Sequence, residues 1–210
     1  MKRTPQKPRA RRVGAVAAKP PAAAGAVPGA GTVLLGVAGG IAAYKVAVLA
    51  SQLVQAGLPV RVAMTPRATE FVGALTFEGL TGSKAILSAT QVDADGSPPH
   101  IAAAARARVY VIAPATADLL ARLAAGVCDD PVSLLAITCR CPILVCPAMN
   151  DAMWTSAVVQ RNVAELRRRG VRLLGPVTGH LAEGYDAIGR MVEPEQILAA
   201  VSAILRGAKA

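Results

Sequence analysis

The segment Pro147-Ala148-Met149-Asn150-Asp151-Ala152-Met153-Trp154 follows an apolar run at residues 142–146. A buried strand, a tight turn and the start of a helix in this order are typical of a parallel α/β sheet. Ligands of such sheets bind at the carboxyl ends of the strands, where this turn falls. Because the side chain of Asn150 can donate one hydrogen bond and accept another, the segment predicts a neutral polar group at the mouth of the sheet.

Apolar strands and helices alternate along the chain on both sides of this segment. The pattern predicts strands at 32–37, 58–64, 108–112, 142–146 and 171–174, and helices at 41–56, 117–125, 130–138, 155–169 and 194–205. Helical pieces are expected within 67–80, and loops at 91–99 and 179–190. Continuous apolar strands separated by helices indicate a doubly wound parallel sheet, Rossmann-like, with helices on both faces.

The net charge of +10 is concentrated at the amino terminus. Residues 1–30 contain seven Lys or Arg and no acidic residue, so the rest of the chain has 16 basic and 13 acidic residues. Because residues 1–30 are also rich in Pro and Ala, we predict a disordered basic arm there and one folded domain at 31–210. A nucleic-acid-binding arm and a targeting peptide are the alternatives. We expect neither a nucleic-acid partner nor a membrane partner for the folded domain, since no long apolar run is free of a charge or a Gly pair.

The cysteines and histidines do not have the spacing of a metal site. The four Cys form no C-x-x-C pair, and His100 and His180 are far apart in sequence. We therefore predict no metal, and we interpret the cysteines as thiols of a cytoplasmic protein.

Several turns after predicted strands carry residues with two interpretations. Gly39-Gly40 allows backbone N–H groups to approach a phosphate, but it also suits a tight packing turn. Thr65 offers either a ligand hydroxyl or a helix cap, and Thr116 with Asp118 offers either the wall of a flat ring or a capped helix start. His100 can exchange a proton near neutral pH or lie on the surface. The Gly-rich segment 179–191 is either a lid or a surface excursion.

Taken together, these segments occur in the order of a known family. The ordered set is Gly39-Gly40-Ile41-Ala42-Ala43-Tyr44-Lys45, Met64-Thr65 with Phe71, His100-Ile101, Ala113-Pro114-Ala115-Thr116-Ala117, Pro147-Ala148-Met149-Asn150 with Met153-Trp154, and Gly189-Arg190-Met191. Over residues 32–200 it resembles the homo-oligomeric flavin-containing cysteine decarboxylases. These include phosphopantothenoylcysteine decarboxylase and the peptidyl-cysteine decarboxylases of modified-peptide biosynthesis.

The resemblance implies a flavodoxin-like fold that binds FMN at a contact within a trimer, and self-assembly as a trimer or dodecamer. The residues implied to hold the FMN phosphate are Gly39, Gly40 and Thr65. The residues implied along the flavin ring are Ala115, Thr116, Ala117, Asp118 and Met149. Ile41 and Phe71 are further implied cofactor contacts. The family usually has Asn where Asp118 stands, and a carboxylate beside the ring would oppose anionic reduced flavin.

The resemblance also implies the catalytic and substrate-binding residues. His100 is implied as the catalytic histidine, reaching the flavin of a neighbouring subunit, and Asn150 as the group that holds the cysteine carboxylate. The segment 179–191 is implied to be a substrate clamp. The further residues implied to contact substrate are Met153, Glu183, Gly189, Arg190 and Met191.

One departure guides the prediction of substrate. Phosphopantothenoylcysteine decarboxylases carry a Cys in the clamp that serves the final reduction, and this chain has Glu183 there. An ordinary Glu is ionised at neutral pH and is a poor acid. We therefore predict oxidative decarboxylation of the C-terminal Cys of a ribosomally made precursor peptide, giving an aminoenethiol. The alternatives are a phosphopantothenoylcysteine decarboxylase of coenzyme A biosynthesis and a non-catalytic FMN-binding or regulatory subunit.

Overall fold

The structure, a computed structural model, describes residues 31–207, so the predicted arm at 1–30 lies outside the described residues. The strands are β1 Thr32–Val37, β2 Val60–Met64, β3 Ala107–Ala115, β4 Ile143–Pro147, β5 Arg172–Leu173, β6 Val177–His180 and β7 Asp186–Arg190. The helices are α1 Ala43–Gln55, α2 Ala68–Phe71, α3 Ala74–Thr81, α4 Pro99–Arg106, α5 Ala117–Ala125, α6 Pro131–Thr138, α7 Asp151–Thr155, α8 Ala157–Arg168 and α9 Pro194–Gly207.

Strands β1 to β5 form one parallel sheet in the order β2-β1-β3-β4-β5. This order is that of the flavodoxin-like fold, so the predicted fold class is confirmed. The chain moves outward in one direction from β1 and in the other from β3. The two strands are hydrogen-bonded neighbours, and the crevice at their carboxyl ends is where doubly wound sheets bind ligands.

Strand β1 has no polar residue after Thr32, because both faces of the sheet are covered. Val33, Leu35 and Val37 point into one hydrophobic cluster with residues of α1, α3 and α9. Leu34 points into the opposite cluster with residues of α4, α5, α6 and α8. Side chains alternate between the two faces of a strand, so a strand that is buried on both faces has no polar position.

Two predicted elements differ from the structure, and one helix was not predicted. The predicted loop at 179–190 is wrong, because β6 and β7 pair there as an antiparallel hairpin. The predicted helix at 155–169 begins earlier and divides into α7 and α8, since Ser156 is extended and its hydroxyl caps α8. Helix α4 was not predicted from the sequence, and its run of alanines shows no clear periodicity. Within residues 31–207, no helix is long and apolar enough to cross a bilayer.

Candidate active site

A cavity of about 420 Å³ opens at the carboxyl ends of β1, β2 and β3. Its size falls in the range of small-molecule sites. The lining residues are Ala38, Gly39, Thr65, Pro66, Arg67, Thr116, Asp118, Leu119, Arg122, Asp129, Asp130 and Met153. Four predicted cofactor residues, Gly39, Thr65, Thr116 and Asp118, therefore share one cavity, together with Met153, a predicted substrate residue.

The turn after β1 can be made only by a residue without a side chain. A Cβ on Gly39 would lie 2.5 Å from Arg67 Cβ and 2.7 Å from the Arg67 carbonyl carbon. The backbone at Gly39 and the start of α2 are thus in direct contact along the cavity wall. Arg67 also lines the cavity, so an anionic group bound there would have a basic residue in the same wall.

Two threonine hydroxyls stand at the ends of β2 and β3. Thr65 Oγ1 accepts the N–H of Ala68 at 3.2 Å, and Thr116 Oγ1 accepts the N–H of Leu119 at 3.3 Å as the N-cap of α5. Both hydroxyls therefore accept a backbone N–H at the start of a helix, which is the capping role that the sequence offered as one of two interpretations. Each hydroxyl keeps its own hydrogen, which can be donated to a ligand in the cavity.

An acidic residue in the cavity is neutralised by a neighbouring arginine. Arg122 Nε donates to Asp118 Oδ2 at 3.0 Å, and Arg122 Nη1 donates to Asp129 Oδ1 at 2.5 Å. These hydrogen bonds raise the pKa of Arg122 above its usual value, and the bond from Arg122 lowers the pKa of Asp129. The carboxylate of Asp118 thus faces the cavity as one half of an ion pair.

Asp130 also lines the cavity, but its carboxylate is used by the fold. Its Oδ1 accepts the N–H groups of Val132 and Ser133, and its Oδ2 accepts the Ser133 hydroxyl at 2.7 Å. These bonds cap α6 and leave the carboxylate buried. Asp130 is therefore a structural residue of the cavity wall.

The side chain of Asn150 lies between α7 and the β6–β7 hairpin. Its Oδ1 accepts the N–H of Ala152 at 2.9 Å and caps α7. Its Nδ2 donates to Glu183 Oε1 and to Tyr185 Oη, both at 3.0 Å. Tyr185 Oη donates in turn to Asp151 Oδ1 at 2.6 Å, and this bond raises the pKa of Tyr185. The hairpin turn is thereby fastened to the start of α7.

The hairpin reaches Asn150 because Gly189 allows an unusually close approach. Met149 N donates to the carbonyl of Gly189 at 3.0 Å, and a Cβ on Gly189 would lie 2.1 Å from the Met149 carbonyl oxygen. The φ of Gly189, +145°, is also one that side chains disfavour. The predicted substrate residue Gly189 is therefore required for docking the hairpin on the Met149–Asn150 turn.

The end of the hairpin is tied to the core. Arg190 Nη2 donates to Glu193 Oε1 at 2.6 Å, and Lys45 Nζ donates to both oxygens of Glu193 at 2.9 and 3.0 Å. Lys45 is buried, and Met191 is buried in the hydrophobic core. In this subunit Arg190 and Met191 secure the hairpin, and their contact with substrate stays a prediction.

The remaining predicted residues are not among those that line the cavity. Ala115 is wholly buried, and Ala117 and Met149 pack against the same core cluster. Ile41 and Phe71 are exposed on the surface. His100 is half-buried at the start of α4, which packs against α6 and β1. The roles of these residues, including that of His100, stay predictions.

The unpredicted residues of the site include Arg67, Arg122, Asp151 and Tyr185. Arg122 follows Asp118 by four positions on a helix, which is the spacing of an ion pair and is visible in the sequence. Tyr185 and Asp151 are 34 positions apart, so only the folded hairpin brings them together.

The residues of the cavity fit FMN. Gly39 and Thr65 line the same cavity, so a phosphate there would meet the backbone of a turn and a hydroxyl whose hydrogen is free. Thr116 and Leu119 provide a mixed polar and apolar wall of the kind that a flavin ring requires. Arg122 pairs with Asp118 but also with Asp129, so this part of the cavity wall keeps about one net negative charge, which a reduced flavin would face.

Comparison with known proteins agrees with this geometry. Residues 28–206 match the family described as Flavoprotein. The crystal structure of the FMN-dependent cysteine decarboxylase SpaF is 32% identical, with a TM-score of 0.73, over 85% of this chain and 97% of SpaF. A cysteine-to-serine mutant of PPC decarboxylase, complexed with pantothenoylaminoethenethiol, is 27% identical, with a TM-score of 0.74, over 84% of this chain and 98% of the mutant.

Curated relatives point to one metabolic class. The coenzyme A biosynthesis bifunctional protein CoaBC of Mycobacterium bovis is 47% identical over 166 residues, which are 79% of this chain and 39% of that protein. Further proteins of this name match at 40% to 44% identity. The chain spans about two fifths of the length of these relatives.

These relatives overturn the predicted substrate. The prediction of a ribosomally made precursor peptide is wrong, because relatives at 40% to 47% identity belong to coenzyme A biosynthesis. The prediction of a peptide substrate depended on one position, where Glu183 replaces the clamp Cys. Sequence identity to the relatives along most of the chain is stronger evidence than a single position.

The predicted family and the predicted FMN cofactor are confirmed, and so is the predicted enzyme class. The family match covers nearly all of the described residues, and the SpaF comparison covers almost the whole of that protein. This chain belongs to the Flavoprotein family, among its flavin-containing cysteine decarboxylases.

Proposed function

We propose that this chain decarboxylates phosphopantothenoylcysteine, giving the saturated thiol and CO₂. The observation that carries the proposal is the identity of 47% with a coenzyme A biosynthesis protein over 79% of this chain. The structure of PPC decarboxylase with pantothenoylaminoethenethiol supports it, since that ligand is the unsaturated thiol left when a cysteine derivative loses CO₂ after oxidation.

The chemistry explains why a flavin and an amide are needed together. Loss of CO₂ from a cysteine leaves a carbanion with no electron sink. Bound FMN would supply that sink through reversible hydride exchange at the carbon that bears sulfur. Asn150 orients the carboxylate through Nδ2, and because the amide is neutral it adds no charge that would hold the carboxylate back.

Protons are handled by groups on two sides of the site. We assign removal of the thiol proton to His100, whose imidazole can accept a proton near neutral pH. The clamp has Glu183 where related decarboxylases have Cys, but it also provides Tyr185. The bond to Asp151 raises the pKa of Tyr185, so its hydroxyl is protonated at neutral pH and directs its hydrogen to Asp151.

Self-association is part of the proposal. Five large apolar side chains are exposed on α1, α2 and α3 and the turn before α1: Ile41, Tyr44, Val48, Phe71 and Leu75. Helix α1 packs against α2 and α3, so these side chains lie on adjoining elements, and we call the set the α1–α3 surface. Exposed apolar surfaces of this kind mark protein interfaces. We propose that it packs against another copy in a trimer or dodecamer in the cytoplasm.

The interface is tested by light scattering on the FMN-loaded chain. Leu75→Asp should reduce the oligomer size, because an ionised carboxylate would be buried against apolar groups. Val158→Asp is the matched control, since Val158 is also an exposed apolar residue but lies on α8. An unchanged mass for Leu75→Asp, or equal losses for both variants, would refute the α1–α3 surface as the interface.

The activity is tested by mass spectrometry of the FMN-loaded protein with phosphopantothenoylcysteine under anaerobic conditions. We expect a product that has lost CO₂ and no other atoms. A product that has lost CO₂ and two hydrogens would show that the final reduction does not occur. Unchanged substrate, with FMN retained, would overturn the proposed function.

A further inference from the structure

The clamp presents a carboxylate to the residue that is proposed to bind the substrate carboxylate. Asn150 Oδ1 is engaged by the N–H of Ala152, which fixes the amide with Nδ2 toward the hairpin. An amide nitrogen has two hydrogens. One is donated to Glu183 Oε1 and the other to Tyr185 Oη, each at 3.0 Å. No hydrogen of Asn150 is therefore left for a substrate while both bonds persist.

We propose that Glu183 is a specificity-determining residue, an internal carboxylate that occupies the substrate carboxylate position on Asn150 and is displaced when substrate binds. The inference rests on the proposed function, which makes Asn150 the donor to that carboxylate. The displaced and the displacing group are chemically alike. Two carboxylates on one amide repel each other, so they occupy the position in turn rather than together.

The two clamp residues are held with unequal strength. Tyr185 Oη accepts from Asn150 and donates to Asp151 at 2.6 Å, so two bonds fix it to the start of α7. Glu183 is exposed, and within residues 31–207 its side chain has no hydrogen-bond partner other than Asn150. Glu183 is therefore the partner that exchanges with a ligand, while Tyr185 keeps the amide in place.

This arrangement separates substrate from product. A ligand with a carboxylate gains the bond to Asn150 only by replacing Glu183. A decarboxylated ligand has nothing to offer Nδ2, and Glu183 retains or regains its place. The charge of Glu183 therefore weakens the binding of carboxylate ligands in particular and leaves the binding of decarboxylated ligands unaffected.

The test uses two unreactive ligands that lack the thiol. Phosphopantothenoylalanine retains the carboxylate, and phosphopantothenoylethylamine lacks it. Their dissociation constants are measured by calorimetry on the full, FMN-loaded chain. Glu183→Gln preserves the size of the side chain and an acceptor oxygen while removing the charge. Glu183→Ala removes both. Tyr185→Phe is the matched variant at the other acceptor of the same nitrogen.

The expected effects have opposite signs at the two clamp residues. Glu183→Gln and Glu183→Ala should bind phosphopantothenoylalanine about three- to tenfold more tightly. Each substitution removes the exposed, charged hydrogen bond with which the ligand must compete. Tyr185→Phe should bind it more weakly, since the amide loses its fixed partner. Neither Glu183 variant should change the affinity for phosphopantothenoylethylamine.

The outcomes separate this inference from the proposed function. Equal or weaker binding of the carboxylate ligand by both Glu183 variants, with normal binding by the unaltered chain, would overturn the role of Glu183 alone. Equal tightening for both ligands would also overturn it, because the effect would not depend on the carboxylate. Failure of the unaltered chain to bind either ligand would overturn the proposed function and this inference together.

Discussion

Arg122 Nε lies 3.0 Å from Asp118 Oδ2 in the wall of the cavity, so the carboxylate that faces the cofactor site is compensated by a cation one helical turn away. The sequence raised the concern that Asp118 would oppose a negatively charged reduced flavin. The ion pair lessens this repulsion without cancelling it, because Arg122 balances only one of the two carboxylates that it bonds to. Asp129 shares the same guanidinium and completes the network.

Breaking this pair should change the reduction potential of bound FMN. In Arg122→Gln the charge of Asp118 is uncompensated, so reduction should become harder and the potential should fall relative to the unaltered protein. Asp118→Asn should shift the potential in the opposite direction. Both are measured by anaerobic spectroscopic titration. Equal potentials in all three proteins would mean that Asp118 does not influence the flavin.

The contact between Gly39 and Arg67 predicts a specific defect in FMN binding. A Cβ on Gly39 would overlap Arg67, so Gly39→Ala must displace a wall of the cavity. Overpacking costs about 1–3 kcal/mol, and we expect the dissociation constant of FMN to rise about tenfold or more. Gly79→Ala is the control, because a Cβ there meets no atom within 4 Å. The dissociation constants are measured by fluorescence titration with FMN. Equal values for both variants and the unaltered protein would contradict the prediction.

Glu193 predicts a pH dependence of stability. Hydrogen bonds from Lys45, and secondarily from Arg190, lower the pKa of Glu193 in the folded chain. Because the pKa of Glu193 is lower in the folded protein than in the unfolded chain, its ionised form stabilises the fold at pH values above the ordinary Glu pKa of about 4.3. This contribution disappears as the pH falls through the pKa of Glu193 in the folded protein. Because Glu193 is 43% exposed, solvent screens the pair and we expect roughly 1 kcal/mol.

This dependence is measured by urea unfolding of Glu193→Gln and the unaltered chain. The difference in the free energy of unfolding should be present at pH 7 and should shrink once the pH falls below the ordinary Glu pKa. A second comparison in the Lys45→Met background should show little difference at either pH, since the main partner is gone. A difference that is constant with pH would indicate a packing effect instead of the ion pair.

The sheet and most helices were predictable because continuous apolar strands leave a strong pattern in the sequence. The β6–β7 hairpin was not, since its glycines are typical of a loop and its pairing depends on Gly189 packing against Met149. The part of the cavity wall at Gly39 and Thr65 was partly predictable, because both residues follow predicted strands. The contact of Arg67 with Gly39 and the bonds of Tyr185 to Asn150 are made across the fold, so they leave no local signal.

The substrate shows a different limit of sequence reasoning. Glu183 was interpreted as the loss of a catalytic group, because a family Cys was missing at that position. In the structure Glu183 accepts a hydrogen bond from Asn150, and the proposed role of Glu183 in ligand binding rests on this contact. A departure from a family pattern is therefore better interpreted from what the new side chain contacts than from what the old one did.

His100 and Asn150 allow a test of whether the site is shared between subunits. His100 does not line the cavity of its own subunit, although the proposed function needs it near the substrate. If it acts on a neighbouring subunit, His100→Ala and Asn150→Ala should each be inactive while retaining FMN. Co-expression of the two should restore about a quarter of the activity, because a shared site then has one chance in four of receiving both intact residues.

Co-expression of the two variants also tests the alternative, that one subunit supplies both His100 and Asn150 to a site. If His100 and Asn150 of one subunit serve the same site, every site of the mixed assembly lacks one of them, and co-expression restores nothing. Mass spectrometry must first establish that both chains are present in one oligomer, with FMN bound. Retained activity in His100→Ala alone would remove His100 from the mechanism, and the thiol proton would then have to pass to solvent or to the clamp.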